Sequence, residues 1–445
     1  MVRCSNRRKS LVRGHEGDHP FVNPLRGMVA QLHPQSLLGI AAILILAWLV
    51  SENRRAFPLR TVIAGVSVQI ALAMLLLKVP VAREGLFALN GVVRALTEAT
   101  KTGTAFVFGF TGGGAPPFTV INPAGMVSFA FGVLPLILVI SALSALLWHW
   151  RILEYIVKAI AFVLKRLLGV GGAVGLGGAS TVFLGNVEGL LVIRPYLGKL
   201  NRAELFIMFT VGMSVVAGTV FVLYATILTP VLPGALGHIL IASVMSLFGA
   251  IVIARIMIPG EAATDTAVES EMKYRSSMDA VSHGTEVGLK IYWQIIAMLI
   301  VVVALVALAN LILANLPSLW GAPVTLQRAF GWVFAPVVWL YGVPWNEAVQ
   351  AGGLLGTKTI LNELIAYIDL AALPAGTFDP RTTLILVYAM CGFANFSSVG
   401  IVIAGMSALE PGRRDLVVPL VMRSLLAGTM ASGLTGSIIG LLPVT

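Results

Sequence analysis

The stretch GTKTILNELIAYIDL (356–370) sets Lys358, Asn362, Glu363 and Asp369 among apolar residues. GGASTVFLGNVEGLLVIRPYL (177–197) does the same with Asn186 and Glu188, and MCGFANFSSVGIVIAG (390–405) with Asn395, Ser397 and Ser398. A carboxylate and an amide in apolar surroundings persist only where they line a cavity or bind something. Bond-breaking chemistry finds no support. G-x-S-x-G does not occur and no phosphate-binding P-loop is present; H-E-x-x-H occurs only as HEGDH (15–19) in the polar tail, and the histidines at 33, 149, 238 and 283 are scattered.

The elements that must hold these groups follow from composition. Of 445 residues, 58% are hydrophobic and 11% charged, and the mean hydropathy is +0.92. A soluble chain carries roughly 25% charged residues. Apolar runs near 36–50, 61–77, 126–148, 205–229, 236–258, 291–316, 382–408 and 416–443 have the length of helices and lack barrel alternation. The expected fold is therefore an all-α integral membrane protein with eight transmembrane helices. Residues 152–163 read as an interfacial helix, and the Gly/Pro-rich loop 110–124 cannot be helical throughout. The net charge of +10 sits mainly in short loops, where it sets topology, and no basic aromatic face points to nucleic acid. The basic loops share one side if both termini lie outside; the basic tail then lies on the opposite side. Cys4 and Cys391 have no metal-ligand spacing, so no metal and no cofactor is expected.

Residues 177–197 and 346–370 share one design: a small-residue half, a tip with polar groups and a Glu, then a second apolar half. Each is followed by two spans, so "hairpin, span, span" occurs twice as an internal repeat. A lone Glu at a helix end usually snorkels; two at matching places in a repeat point to a cavity. Paired interrupted segments mark the binding site of a transporter, because a re-entrant tip exposes backbone polar groups that persist in a bilayer only where they line a cavity. Lys358 reads as structural, neutralising a carboxylate. Asn395 and Ser398, three apart, are expected to share a helix face.

GVPWNEAVQAGGLLGTKTILNELIAY (342–367), CGFANFSSVGI (391–401) and VIRPYLGKLNRAELF (192–206) resemble the concentrative nucleoside transporter family, and weaker similarity extends over residues 36–445. The resemblance implies eight spans, two re-entrant hairpins, an interfacial helix and a homotrimer in the cell membrane. Composition marks 1–35 as a basic mobile tail and 261–290 as a polar loop; the resemblance implies scaffold helices 1–3 with the interfacial helix (36–170), hairpin 1 with helices 4–5 (171–260), scaffold helix 6 (291–325) and hairpin 2 with helices 7–8 (326–445). The hairpin-bearing parts form the moving transport unit. The function implied is secondary active nucleoside import by cation symport and alternating access.

By the same resemblance, ribose is held by Glu363, Asn395 and Ser398, with Phe393 and Val220 nearby, and the base by the hairpin-1 tip, Asn186, Val187 and Glu188. That tip departs from the family's G-Q-T/S-E: Asn186 is one methylene shorter than Gln, and Val187 lacks a hydroxyl, so base preference is expected to differ. The coupling-ion positions implied are Thr181, Leu184, Val215 and Glu188. Thr181 stands where sodium-coupled members have Asn, and Val215 where they have Ser or Thr, which favours H+ over Na+ as the coupling ion. Another ribosylated or heterocyclic solute, or a non-coupled channel or sensor on the same fold, remains an alternative.

Overall fold

Apolar runs in a bilayer must satisfy their own backbone polar groups, and the helix does so within one segment. The computed structural model describes residues 33–442 apart from 79, 121–127, 265–271, 319, 320 and 322. Among these the regular structure is entirely helical, with no strand. Most of the tail, including Cys4, lies outside the described residues, as does the middle of the loop at 261–290.

Helices α1 (Pro34–Leu49) and α2 (Leu59–Lys78) are followed by α3 (Pro80–Phe108), which no apolar run announces. Next come α4 (Leu136–His149) and α5 (Ile152–Leu168). α5 covers the segment expected at the interface; it buries Val157 and Leu164 and exposes Tyr155 and Phe162. Hairpin 1 consists of α6 (Gly172–Leu184) and α7 (Asn186–Val192), after which come α8 (Arg202–Ser214), α9 (Gly218–Leu228) and α10 (Ala235–Met257). α11 (Ser277–Leu313) begins inside the stretch expected to be polar loop. Its N-cap Ser276 accepts from the amide of Asp279, so the last part of that stretch, with Asp279, Glu286 and Lys290, is an exposed first part of the helix. α12 (Leu326–Tyr341) precedes hairpin 2, α13 (Trp345–Ile360) and α14 (Glu363–Ala372). α15 (Pro380–Met390), α16 (Phe396–Leu409) and α17 (Arg414–Leu441) complete the chain.

Among the described residues, five segments are long and apolar enough to cross a membrane: Phe129–His149, Arg202–Leu228, Ala235–Met257, Ser277–Leu313 and Pro411–Leu441. The hairpin halves are not. The longest of them, α13, has 16 residues and reaches about 24 Å at 1.5 Å per residue, against a hydrocarbon core of about 30 Å. α10 and the second half of α17 are largely buried, whereas α11 is apolar and mostly exposed, as a helix facing lipid or another subunit would be.

Two spans are broken. α8 and α9 are separated by extended backbone at Val215–Ala217, and α15 and α16 by residues 391–395. The breaks touch. The Phe393 amide donates to the Val215 carbonyl at 3.3 Å. A Cβ on Gly392 would stand 2.6 Å from the Ser214 carbonyl oxygen, so only glycine permits the approach.

At one end of the bundle the chain is tied by carboxylates. Glu204 forms a capping box with Asn201, and its Oε1 accepts from the amides of Ala263 (3.0 Å) and Thr264 (3.1 Å) and from the Thr264 hydroxyl (2.8 Å). Glu52, between α1 and α2, pairs with Arg202 at 2.7 Å and with Arg423; its hydrogen bond from Arg202 holds the Glu52 carboxyl below the usual range.

Candidate functional site

Hairpin 1 turns at Gly185, whose φ of +119° excludes a side chain at ordinary cost. The turn starts α7 at Asn186 and leaves Glu188 in its first turn. Hairpin 2 turns at Leu361–Asn362, and the Asn362 side chain accepts from the Ile365 amide at 2.9 Å. This N-cap pins the tip and starts α14 on Glu363, whose negative charge suits the helix N-terminus. Asn395 does the equivalent work at the second break: its Oδ1 accepts from the Ser398 amide at 2.8 Å and starts α16. This corrects the expectation of a shared helix face. The span is broken at Asn395, so Asn395 and Ser398 are related as cap and first turn.

These three starts converge on one cavity of about 410 Å³. It is lined by Asn186, Val187, Glu188, Val220, Glu363, Phe393, Asn395 and Ser398, which are all the residues assigned to substrate from the sequence. Leu184 lines it too; Thr181 and Val215 do not appear among its lining residues. Thr181 is buried a turn behind the tip with its hydroxyl on the Gly177 carbonyl at 2.9 Å.

At the cavity wall Glu363, only 3% exposed, is held on both sides. Its Oε1 accepts from the Tyr224 hydroxyl at 2.7 Å and its Oε2 from Asn395 Nδ2 at 3.0 Å. A carboxylate offers about four lone-pair directions. Two are used, which leaves one on each oxygen. Asn186 and Thr219 also line the cavity, and Asn186 Oδ1 and Thr219 Oγ1 are buried with no hydrogen-bond partner. Buried polar atoms are rarely left orphaned; Asn186 Oδ1 lies against α8, 3.5 Å from where a Cβ on Gly212 would stand. The cavity thus presents the held carboxylate of Glu363, the side chains of Asn186 and Thr219, and the ring of Phe393.

Sequence reasoning missed Tyr224, Thr219 and the wall supplied by α11. Val287, Ile291, Gln294, Ile295 and Met298 line the cavity at helical spacing, as does Lys290, whose ammonium pairs with Glu286 at 2.7 Å. Lys290 and Gln294, four apart at the head of an apolar run, were the visible signal. Tyr224, a lone phenol in an apolar span, gave none.

Residues 38–111 and 238–440 match family models described as the N-terminus and C-terminus of Na+ dependent nucleoside transporters, and residues 130–231 match one described as nucleoside recognition. The chain is 36% identical over 412 residues to YutK of Bacillus subtilis, described as an uncharacterized transporter, with 91% of this chain and 98% of the relative covered. It is 32% identical over 412 residues to the nucleoside permease NupC of Helicobacter pylori, covering 91% and 97%. The solved structure of CNTnw in an inward-facing substrate-bound state has a TM-score of 0.84 at 32% identity, covering 92% of this chain and 98% of that one. A CNTnw variant in an outward-facing state has a TM-score of 0.85 at 32% identity, covering 92% and 96%. Breaks, tips and matches along nearly the whole length agree: the chain is a multi-pass membrane protein of the concentrative nucleoside transporter family.

Proposed function

We propose that this chain imports nucleosides by secondary active symport, alternating access between the two sides of the membrane, with H+ as the coupling ion in preference to Na+. The observation that carries the substrate reading is Glu363. Its two remaining acceptor directions, one per oxygen, suit the two hydroxyl donors of a ribose 2′,3′-diol, and Tyr224 and Asn395 fix the carboxylate in that orientation. Phe393 offers a face to the base, and the Asn186 side-chain amide at the hairpin-1 tip offers it a hydrogen-bonding group.

The coupling reading rests on this chain's own oxygens. Sodium requires several at once. Val215 has none in its side chain, and its carbonyl accepts from the Phe393 amide. The Val216 carbonyl accepts from Ser243 Oγ at 3.4 Å. Ser214 Oγ is turned toward the Val211 and Ser246 carbonyls. The matching family models are described as Na+ dependent, so the preference for H+ is a departure particular to these positions. The exposed apolar face of α11, with Ile300, Val303 and Leu311, suits association into a homotrimer within the lipid bilayer.

The test is uptake of labelled uridine and adenosine into proteoliposomes under separately imposed proton and sodium gradients. Accumulation driven by the proton gradient with choline replacing sodium is the expected result. A strict sodium requirement overturns the coupling reading, and absence of nucleoside uptake under both gradients overturns the substrate reading.

A further inference from the structure

Among the described residues Lys358 stands apart. It lies in the last turn of α13, is 0% exposed, and its Nζ has no hydrogen-bond partner. An isolated ammonium in such a place costs several kcal/mol unless an opposite charge compensates it. The group able to do so is across the hairpin tip: Lys358 and Glu363 attract one another, although they are not bonded. The lysine is not among the residues lining the cavity. It therefore supplies charge to the site without supplying a contact to the ligand.

The two acidic tips differ in this respect. Glu363 faces Tyr224 from α9, Asn395 at the second break and Lys358 from α13, with Tyr367 and Cys391 close by. Glu188 shares its cavity with Asn186 and with Lys290, whose ammonium is bonded to Glu286, and lies toward Tyr274. Among the described residues no ammonium or guanidinium is bonded to Glu188, and none attracts it as Lys358 attracts Glu363.

We propose that Lys358 is a built-in counter-cation of the substrate site, balancing the charge of Glu363 through the whole transport cycle so that the coupling cation is taken up at the hairpin-1 tip alone. Glu363 then remains ionised and able to accept from the substrate whether or not the coupling ion is bound. The substrate half of the moving unit crosses the membrane as a neutral pair. One cation per nucleoside follows.

This inference rests on the coupled-transport reading for its stoichiometry and on the charge pair alone for its stability consequence, so two measurements separate them. The first is thermal unfolding of purified protein without ligand. Lys358→Met leaves a lone buried carboxylate and is expected to lower Tm by at least about 3 °C. Adding Glu363→Gln to it should recover most of the loss. Where Lys358→Met does not accumulate in the membrane, the same comparison is read as the amount of folded protein. Failure of the second substitution to restore either quantity overturns the proposal, whatever the protein transports. The second is nucleoside accumulation in proteoliposomes at clamped membrane potential. The wild type is expected to change accumulation by about tenfold per unit of imposed pH difference, or per decade of sodium should sodium be the coupling ion. Lys358→Arg should keep that slope. A wild-type response of about a hundredfold means that both tips take up a cation and overturns the proposal. No accumulation under either gradient sinks the transport reading and leaves the unfolding comparison as the judge of the charge pair.

Discussion

Tyr224→Phe isolates the carboxylate geometry from everything else at the site. The substitution removes one hydroxyl, the donor 2.7 Å from Glu363 Oε1. The ring stays, and with it the edge-to-face contact with Tyr367 at 5.3 Å between centroids. Asn395 still holds Oε2, so the carboxylate is anchored on one side and free to turn about the other. A hydrogen bond to a charged group contributes about 1.5–3 kcal/mol. If the loss falls wholly on the bound complex, the lower figure raises Kd for uridine by about tenfold and the upper by about 150-fold. The expected result is a Kd in that interval by titration of purified protein, with Tm close to wild type because the ring packing survives. In vesicles KM should rise by the same factor while the maximal rate changes by less than about threefold, since a uniform binding loss does not alter the rate of a loaded carrier. A Kd within about twofold of wild type refutes the reasoning: the carboxylate would then be oriented without Tyr224, or would not hold the ligand.

Three further outcomes are expected. Val187 lines the cavity with both methyls against Gly405 of α16, where an added Cβ would stand 2.7 Å from Cγ2 and 3.0 Å from Cγ1. Val187→Thr, isosteric, should change the ratio of uridine to adenosine affinity by about threefold to tenfold, the worth of one neutral hydrogen bond, and an unchanged ratio means that the base lies elsewhere. Glu204→Ala orphans the amides of Ala263, Thr264 and Asn201 while leaving the Asn201 cap of α8 in place, a loss of about 3 kcal/mol or more read as a lower Tm with nucleoside Kd unaltered; an equal Tm sinks the idea that this carboxylate ties the connector down. Glu52 is held below the usual carboxyl range by Arg202 and Arg423, so its stabilisation is complete above the ordinary Glu value and fades as pH falls through the lowered one. Glu52→Gln should flatten the acid limb of Tm against pH, and identical limbs would show that the cluster contributes nothing.

Part of the fold could be read because lipid imposes a simple rule: apolar runs of helix length, interrupted only where a cavity tolerates it. The broken segments announced themselves by a glycine, an amide and a carboxylate together, and the residues that the family resemblance assigned to substrate line one cavity. What stayed hidden has physical causes. α3 is amphipathic, with Arg94, Glu98 and Lys101 along it, so no continuous apolar run marks it. α11 starts in charged sequence, since its first turns are exposed and need no apolar residues. Tyr224 and the α11 wall belong to the site only through packing between elements far apart in the chain, which periodicity within one element does not encode. The role of Asn395 as a cap was obscured because Asn–x–x–Ser reads equally as two residues on one helix face.

Asn395 also explains why the substrate site and the moving machinery are one object. Its Oδ1 stops the backbone from continuing as helix by satisfying the Ser398 amide, and its Nδ2 reaches across to Glu363 on hairpin 2. Two residues upstream in the same break, the Phe393 amide is bonded to the Val215 carbonyl in the other broken span, beside which hairpin 1 turns. Glu363 is therefore tied through Asn395 to one break, and that break through Phe393 to the other, so that on the proposed reading a ligand held by Glu363 acts on both breaks. Continuous helices would have had no free backbone groups to join in this way. The breaks cost unpaired amides and carbonyls in the middle of the protein, and the same groups, paired with one another and with Asn side chains, fasten the two halves of the repeat around the cavity.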